Sequence, residues 1–421
     1  MYWICLHISR HLAQKSLDIR QYACGISIQS DEKSVGASPA QALCGIALIK
    51  GEKMKKRYLI PLILIGAAVL LTAAGRLSQT FADFYAAYIF PYISTPYVFV
   101  SGLLPISVGE LMIVAALVLF FVGIPVMIIM LIFMKKSRRT VASVSVSTVM
   151  WILAFVMVTE SLNCFTLYGC TRFSERYFTA KEHDNEELKQ LYSLLIDEAN
   201  DLAQQVPRDE NDRFVLTIDV TTECKKAMKK ASEQYPQLRG YYPRPKPIMF
   251  SYFMSQTGTA GMYFPFSMES TYNADMVPEI QPEVICHEYA HLKGFMQEDE
   301  ANFISFVATQ GSDDPQVKYS GCLDALEYVQ NQIYENDVQS GFDLTDKVSP
   351  QVANDWFRFL PDNYWEDNED KEVFDTETVS AFSESASDTS MKLNGVEDGV
   401  KSYSRMVNLL LDYYFPAEET P

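Results

Sequence analysis

At 421 residues and a net charge of −18, the chain has room for two or three structural units. Its charge is unevenly laid out: residues 1–167 carry 14 Lys+Arg against 7 Asp+Glu, and residues 168–421 carry 21 against 46. So acidic a second part argues against a nucleic-acid partner, which needs clustered Lys and Arg. Long uncharged apolar runs confined to the first part read instead as a membrane anchor ahead of a water-soluble domain.

Residues 1–53 fit neither a signal peptide nor a folded unit. Met54 is followed by Lys55-Lys56-Arg57 and an apolar run, the look of a bacterial start, so residues 1–53 are expected to be a non-native or disordered extension. Hydropathy then marks an anchor over 54–167 with three transmembrane helices: Tyr58–Gly75, Leu111–Met134 and Val141 to about Leu162. The intervening Phe84–Pro105 is rich in Tyr, Phe, Pro and Ser and suits an interfacial or re-entrant segment, or an aromatic loop on lipid headgroups. Basic clusters precede the first span and separate the second from the third (Lys135-Lys136-Ser137-Arg138-Arg139). Three crossings from a cytoplasmic start put both clusters inside a bacterial cell membrane and the domain 168–421 outside.

Within that domain 184–205 has the helical spacing of Leu188, Leu191, Leu194, Leu195, Ala199 and Leu202. Phe214–Val220 alternates as a strand, 222–235 reads as helix, and the Pro-rich Tyr241–Pro247 ends that element. Ile248–Ser270 suggests two short strands around Gly258 and Gly261. Helices are expected around 282–293, from near Glu298, over 322–336 and over Val400–Phe415, with an acidic, solvated stretch at Asp362–Asp388. The eight cysteines show no metal-binding spacing. Unpaired thiols are favoured, although Cys164 and Cys170 are close enough to pair on an oxidising side.

The chemistry concentrates in His287-Glu288-Tyr289-Ala290-His291, an HExxH motif. Residues four apart share a helix face, so His287 and His291 can aim at one ion. Glu288 cannot comfortably share that ion but can reach a water on it, accepting its proton and later delivering it to a leaving amine. Zn²⁺ needs a third protein ligand and one open position. The only other histidine of the domain, His183, lies about a hundred residues upstream, so a carboxylate is the better candidate. Gly294 can end the motif helix in a left-handed turn, after which Glu298 and Asn302 share a face of the next helix. Glu298 is the expected ligand, Asn302 its outer support, and Glu300 the fallback.

Weaker candidates surround this core. Gly261–Ser267 is either an edge strand that pairs with an extended peptide or an ordinary core strand. Tyr403 and Arg405 are candidates to stabilise a developing oxyanion, against the plainer reading as helix-surface residues. Cys286 adjoins His287 but points off the metal face.

The run 287–303 (His-Glu-Tyr-Ala-His-Leu-Lys-Gly-Phe-Met-Gln-Glu-Asp-Glu-Ala-Asn-Phe) resembles a family of bacterial multi-pass membrane proteins catalogued as domain of unknown function 3810. The resemblance extends to Leu104–Glu110, Tyr263–Phe266 and Gly395–Met406, and covers essentially everything after Met54. The family in turn resembles zincin metallopeptidases whose third ligand sits in a Glu-x-x-Ala-Asp or Glu-x-x-Ala-Asn helix, a pattern that falls on Glu298, Ala301 and Asn302. The expected architecture is α+β but mainly α: three transmembrane helices followed by a zincin-like domain with a small sheet. The expected activity is that of a zinc-dependent metallohydrolase, a peptidase acting on a peptide or protein substrate. The rivals are a non-catalytic membrane sensor or envelope assembly protein that keeps the fold, and a metal-free envelope protein.

Overall fold

The computed structural model describes residues 55–336, 338–393 and 405–417. The expectation for residues 1–53 and the candidate Tyr403 lie outside them. Three helices are long and apolar enough to cross a membrane: α1 (Lys56–Leu77), the helix begun by α4 (Val108–Phe133), and α5, which runs from Arg138 with its terminal turns to Gly169. Each extends the expected span by a few residues. Side chains such as Leu117, Phe121, Ile129 and Phe133 along α4 are exposed on a helix with no charge after Glu110, the pattern of a helix solvated by lipid.

Between α1 and α4 the segment read as interfacial or re-entrant, or as an aromatic loop, forms two helices, α2 (Gln79–Tyr88) and α3 (Phe90–Gly102), rather than a loop. Ser78 caps α2 by accepting the Phe81 N–H. Pro91 stands in the first turn of α3, where its missing N–H costs nothing. Neither helix is among the three membrane-length ones, and Tyr85 and Phe90 are buried against the domain.

The rest is mostly helical around one small sheet. After the short α6 (Phe173–Tyr177), α7 (Asn185–Ala203) starts at Asp184, whose carboxylate accepts the Glu186 and Glu187 N–H groups. Its Leu188, Leu191, Leu195, Ile196, Ala199 and Leu202 are buried, each large aliphatic chain adding about 1.5–3 kcal/mol when withdrawn from water. Leu194 alone of the expected stripe stays exposed. α8 (Val220–Gln234) follows.

The expected strand at Phe214–Val220 is absent. Phe214 makes a single bridge to Arg208, and the chain then runs irregularly to the Asp219 cap of α8. The Phe214 and Thr217 N–H groups are satisfied by the side chains of Asp355 and Gln316, so the backbone has no need of a neighbouring strand.

β1 (Lys246–Ile248), α9 (Ser251–Gln256), β2 (Gly261–Phe264) and β3 (Glu269–Asn273) come next. The sheet order is β1-β3-β2, with β1 parallel and β2 antiparallel to β3. Gly261 opens a strand as expected. Gly258, at φ +64°, instead follows the end of α9. α10 (Gln281–Leu292), α11 (Glu298–Gln310) and α12 (Pro315–Asn336) pack on one another, and α12 packs on α7. α12 begins seven residues before the expected start at Cys322. At its crossing with α11, a Cβ on Gly321 would sit 2.8 Å from Thr309 Cβ, so only glycine allows this approach. α13 (Thr376–Leu393) makes much of the acidic stretch a surface helix, and α14 (Met406–Tyr414) returns to the core.

The sheet is tied to the domain-side ends of the apolar helices. Glu269 of β3 accepts the Val108 and Gly109 N–H groups at 3.1 and 2.7 Å, capping α4, and pairs with buried Lys246. In return, Glu110 of α4 accepts the Met249 and Phe250 N–H groups. Gly109 lies against the Phe264 ring with no room for a Cβ. Asn163 of α5 donates to Pro265 O, and Tyr97 of α3 donates to Phe266 O.

Candidate metal centre

α10 begins with Pro282 in its first turn and carries His287, Glu288 and His291 in its second half. It ends where expected: Gly294 takes φ +96°, and the Phe295 N–H reaches back to Ala290 O at 3.2 Å. That end rests on Phe90 and Leu167, the nearest groups a Cβ on Gly294 would meet. The turn brings the chain back into α11, whose first residue is Glu298. Three acidic residues in that first turn suit the positive end of the helix dipole.

The two helices place Glu298 Oε2 3.2 Å from His287 Nε2 and 3.6 Å from His291 Nε2, with the two Nε2 atoms 3.0 Å apart. Among the described residues this is the one group of three or more His, Cys, Asp or Glu side chains with a ligand atom each within 4.8 Å of one another. Both rings are held from behind. His291 Nδ1 lies 2.7 Å from Phe295 O, which fixes the proton there and leaves Nε2 to face Glu298. His287 is hydrogen-bonded by the Asn302 side chain, which itself donates to the Tyr328 hydroxyl at 2.9 Å.

The electrostatics follow from crowding one carboxylate and two imidazoles into a poorly hydrated space. Burial by itself would raise the Glu298 carboxyl. The charge of His291 and hydrogen bonds from both histidines outweigh it and hold Glu298 well below the usual carboxylate range. Burial likewise works to lower His291, but the Glu298 carboxylate prevails and lifts it to about 9. His287 is lowered, chiefly by burial. His291 and Glu298 thus favour each other's charged forms where the three side chains converge.

Glu288 is buried beside this trio, and burial pushes its carboxyl up to about 8. Its Oε2 has no hydrogen-bond partner. β2 lies against it: a Cβ on Gly261 would stand 2.5 Å from Glu288 Oε1 and 2.8 Å from Val284 Cγ1. β2 is terminal in the sheet order, as an edge strand must be. The next residue but one, Tyr263, sets its ring 6.1 Å from that of His291 and donates its hydroxyl to Asn163 O of α5 at 3.0 Å. One tyrosine side chain therefore separates the candidate centre from the end of a membrane-length helix.

The remaining candidates fall elsewhere. Glu300 accepts the Ser174 N–H and hydroxyl at 3.0 and 2.5 Å, turned away from the histidines, so the fallback ligand has a different task. Arg405 donates to Asp299 Oδ2 at 2.8 Å, the oxygen that also binds Arg172. Its guanidinium fastens the start of α14 to the start of α11. His183 lies between Glu187 and Asp412. Cys286 is fully buried and hydrogen-bonded with Cys224, and Cys164 and Cys170 are unpaired. Sequence reasoning missed Tyr328 and the Phe295 carbonyl. The first lies 26 residues from its partner, and the second is a backbone atom without a residue-type signature.

No curated protein and no solved structure matches the chain. One family model does, over residues 85–411, a range that holds α3, α4, α5, the sheet and both site helices. With most of its length matched, this chain belongs to the family described as Protein of unknown function (DUF3810).

Proposed function

We propose that the protein is a membrane-anchored zinc metallopeptidase of zincin-like design, with Zn²⁺ held by His287, His291 and Glu298. The observation that carries this reading is the convergence of His287 Nε2, His291 Nε2 and Glu298 Oε2. Two nitrogen donors and one carboxylate are the donor set of a catalytic zinc that keeps a position for water. A cation there would also offset the Glu298 charge, and Glu288, whose buried Oε2 has no hydrogen-bond partner, is on the same helix as both histidines. Bound Zn²⁺ supplies a Lewis acid that makes water acidic and polarises a carbonyl.

The chain's own residues supply the rest. With Zn²⁺ bound nearby favouring its ionised form, Glu288 would take a proton from the attacking water and return it to the leaving amine. Phe295 O and Asn302 hold the histidine rings in the orientation that keeps both Nε2 atoms forward. β2 offers a free strand edge beside Glu288, and an extended peptide can lie along it as an added strand.

The domain is placed on the extracytoplasmic side. Tyr58 at the start of α1 donates to Ser143 O near the start of α5 at 3.1 Å, so the Lys55-Lys56-Arg57 and Lys135–Arg139 clusters share one end, opposite the sheet. Shared basic ends favour the cytoplasm.

Glu288→Gln is the direct test. The variant should keep stoichiometric zinc and lose peptide hydrolysis by a factor of about 10²–10⁴. Wild-type protein purified without zinc and unable to take it up would end the reading. A Glu288→Gln strain that loses no cleavage, read by profiling new protein N-termini against wild type, would favour the sensor or assembly role instead.

A further inference from the structure

The loop between β1 and α9 carries an apolar face that the domain does not use. Met249, Phe250 and Phe253 are 59%, 57% and 57% exposed, while Ser251, Met254 and Ser255 on the other side of α9 are buried. Three large apolar side chains pointing outward from one turn are costly in water, and such a patch marks a partner. No residue from Pro247 to Met268 is charged.

The position of this turn identifies the partner. The Met249 and Phe250 N–H groups bond to the two carboxylate oxygens of Glu110 at 3.1 and 2.8 Å. Glu110 stands in the first turn of α4, one residue before the uncharged run that begins at Leu111. With a rise of about 1.5 Å per residue, Glu110 lies within about 5 Å of the helix start. The turn is therefore fixed at the depth where α4 enters the apolar phase. Exposed Leu103, Leu104 and Ile106 continue the face towards α4. The Lys246–Glu269 pair one strand away clamps the same helix end, so the height of the turn is set from two sides.

We propose that Met249, Phe250 and Phe253 form a lipid-docking surface that dips into the interfacial layer of the leaflet facing the domain. Aromatic and apolar side chains at headgroup level are stable there, because their surface leaves water while neighbouring backbone polar groups stay within reach of it. The turn's own exposed amides are already satisfied by Glu110, which removes the main cost of lowering backbone into lipid. Because β1 runs directly into this turn, the docking also holds the sheet, and β2 beside Glu288, at the bilayer surface. The inference concerns a surface distinct from the metal centre and does not depend on the peptidase reading.

The test uses the full chain in nanodiscs of phosphatidylcholine and phosphatidylglycerol containing a phospholipid with a diazirine near the glycerol end of its acyl chain. After irradiation and digestion, lipid adducts are mapped by mass spectrometry. Adducts are expected on 249–253 as well as on α1, α4 and α5, and none around Leu194, an exposed apolar residue on α7. Phe250→Ser with Phe253→Ser should lower the yield on that peptide at least fivefold while adducts on α4 persist. Adducts confined to the three long helices would overturn the proposal. So would equal labelling at Leu194.

Discussion

Glu298, Asp299 and Glu300 are adjacent in the chain, yet each has a different partner. Glu298 meets the histidines, Asp299 binds Arg172 and Arg405, and Glu300 holds Ser174. This separation makes the ligand assignment testable one residue at a time. Glu298→Gln should abolish zinc retention through dialysis, whereas Glu300→Gln should keep the metal and lose about 1–3 kcal/mol of stability from an impaired charge-assisted bond. Metal analysis of the two variants decides, and zinc loss from the second alone would move the ligand. The same buried groups set a pH dependence in metal-free protein. Burial lifts Glu279 to about 7 and Glu283 and Glu288 to about 8. A carboxyl that holds its proton more tightly when folded contributes stability that is lost as pH rises from about 4.5 through those values. His291, raised to about 9, likewise favours the folded state at low pH and loses that contribution as pH climbs from 6.5 through 9. His287, lowered by burial, acts in the opposite sense through 6.5. Glu327, lifted to about 7 by burial, adds to the first side, and Lys293, lowered to about 8, opposes it only above that pH; the melting temperature of chelator-treated protein is therefore expected to fall between pH 5 and pH 8. A rise over that range would contradict the burial of these acids.

At the scale of elements, the motif helix, its glycine stop and the following acidic helix were legible in the sequence because their determinants are local. A four-residue spacing, a residue able to take positive φ and a run of acids at a helix start act within one or two turns. Other elements were illegible for a complementary reason. Phe214–Val220 alternates like a strand but pairs only at the Arg208–Phe214 bridge, and the Phe214 and Thr217 amides go to the side chains of Asp355 and Gln316. Phe84–Pro105, read as an interfacial or re-entrant segment or a loop, forms two helices that bury Tyr85 and Phe90 while Phe84, Tyr88, Tyr92 and Phe99 stay exposed, a division that composition does not record. The clamp between Glu269, Lys246 and the start of α4 joins residues about 160 positions apart and has no local signature. Glu269→Ala would leave Lys246 charged and buried and uncap α4, at a cost of about 3–5 kcal/mol. Thermal unfolding in detergent measures it, and an unchanged melting temperature would show that the pair carries no net stabilisation.

For the whole molecule, the sheet, the candidate metal centre and the ends of the apolar helices form one connected structure. Tyr263 spans from His291 to Asn163, Glu110 holds the α9 turn, and Gly294 packs on Phe90 and Leu167. A peptide brought to Glu288 along β2 therefore arrives next to a membrane surface. The proposed orientation has its own check. A reporter active only outside the cytoplasm should be silent when fused in the turn after Phe133 and active when fused at the C-terminus. The reverse pattern would place the domain in the cytoplasm and end the proposed orientation.

The sequence by itself determined the three apolar spans, the acidic domain after them, and the two histidines, one glutamate and glycine stop on consecutive helices. Each depends on hydropathy, spacing or backbone preference that acts over a few residues. Only the tertiary structure brought Glu298 to the histidines and Glu300 to Ser174, paired Arg405 with Asp299, set Gly261 against Glu288 and anchored the sheet on α4. Those outcomes depend on which distant side chain reaches a buried polar group first, and chain spacing holds no record of that competition.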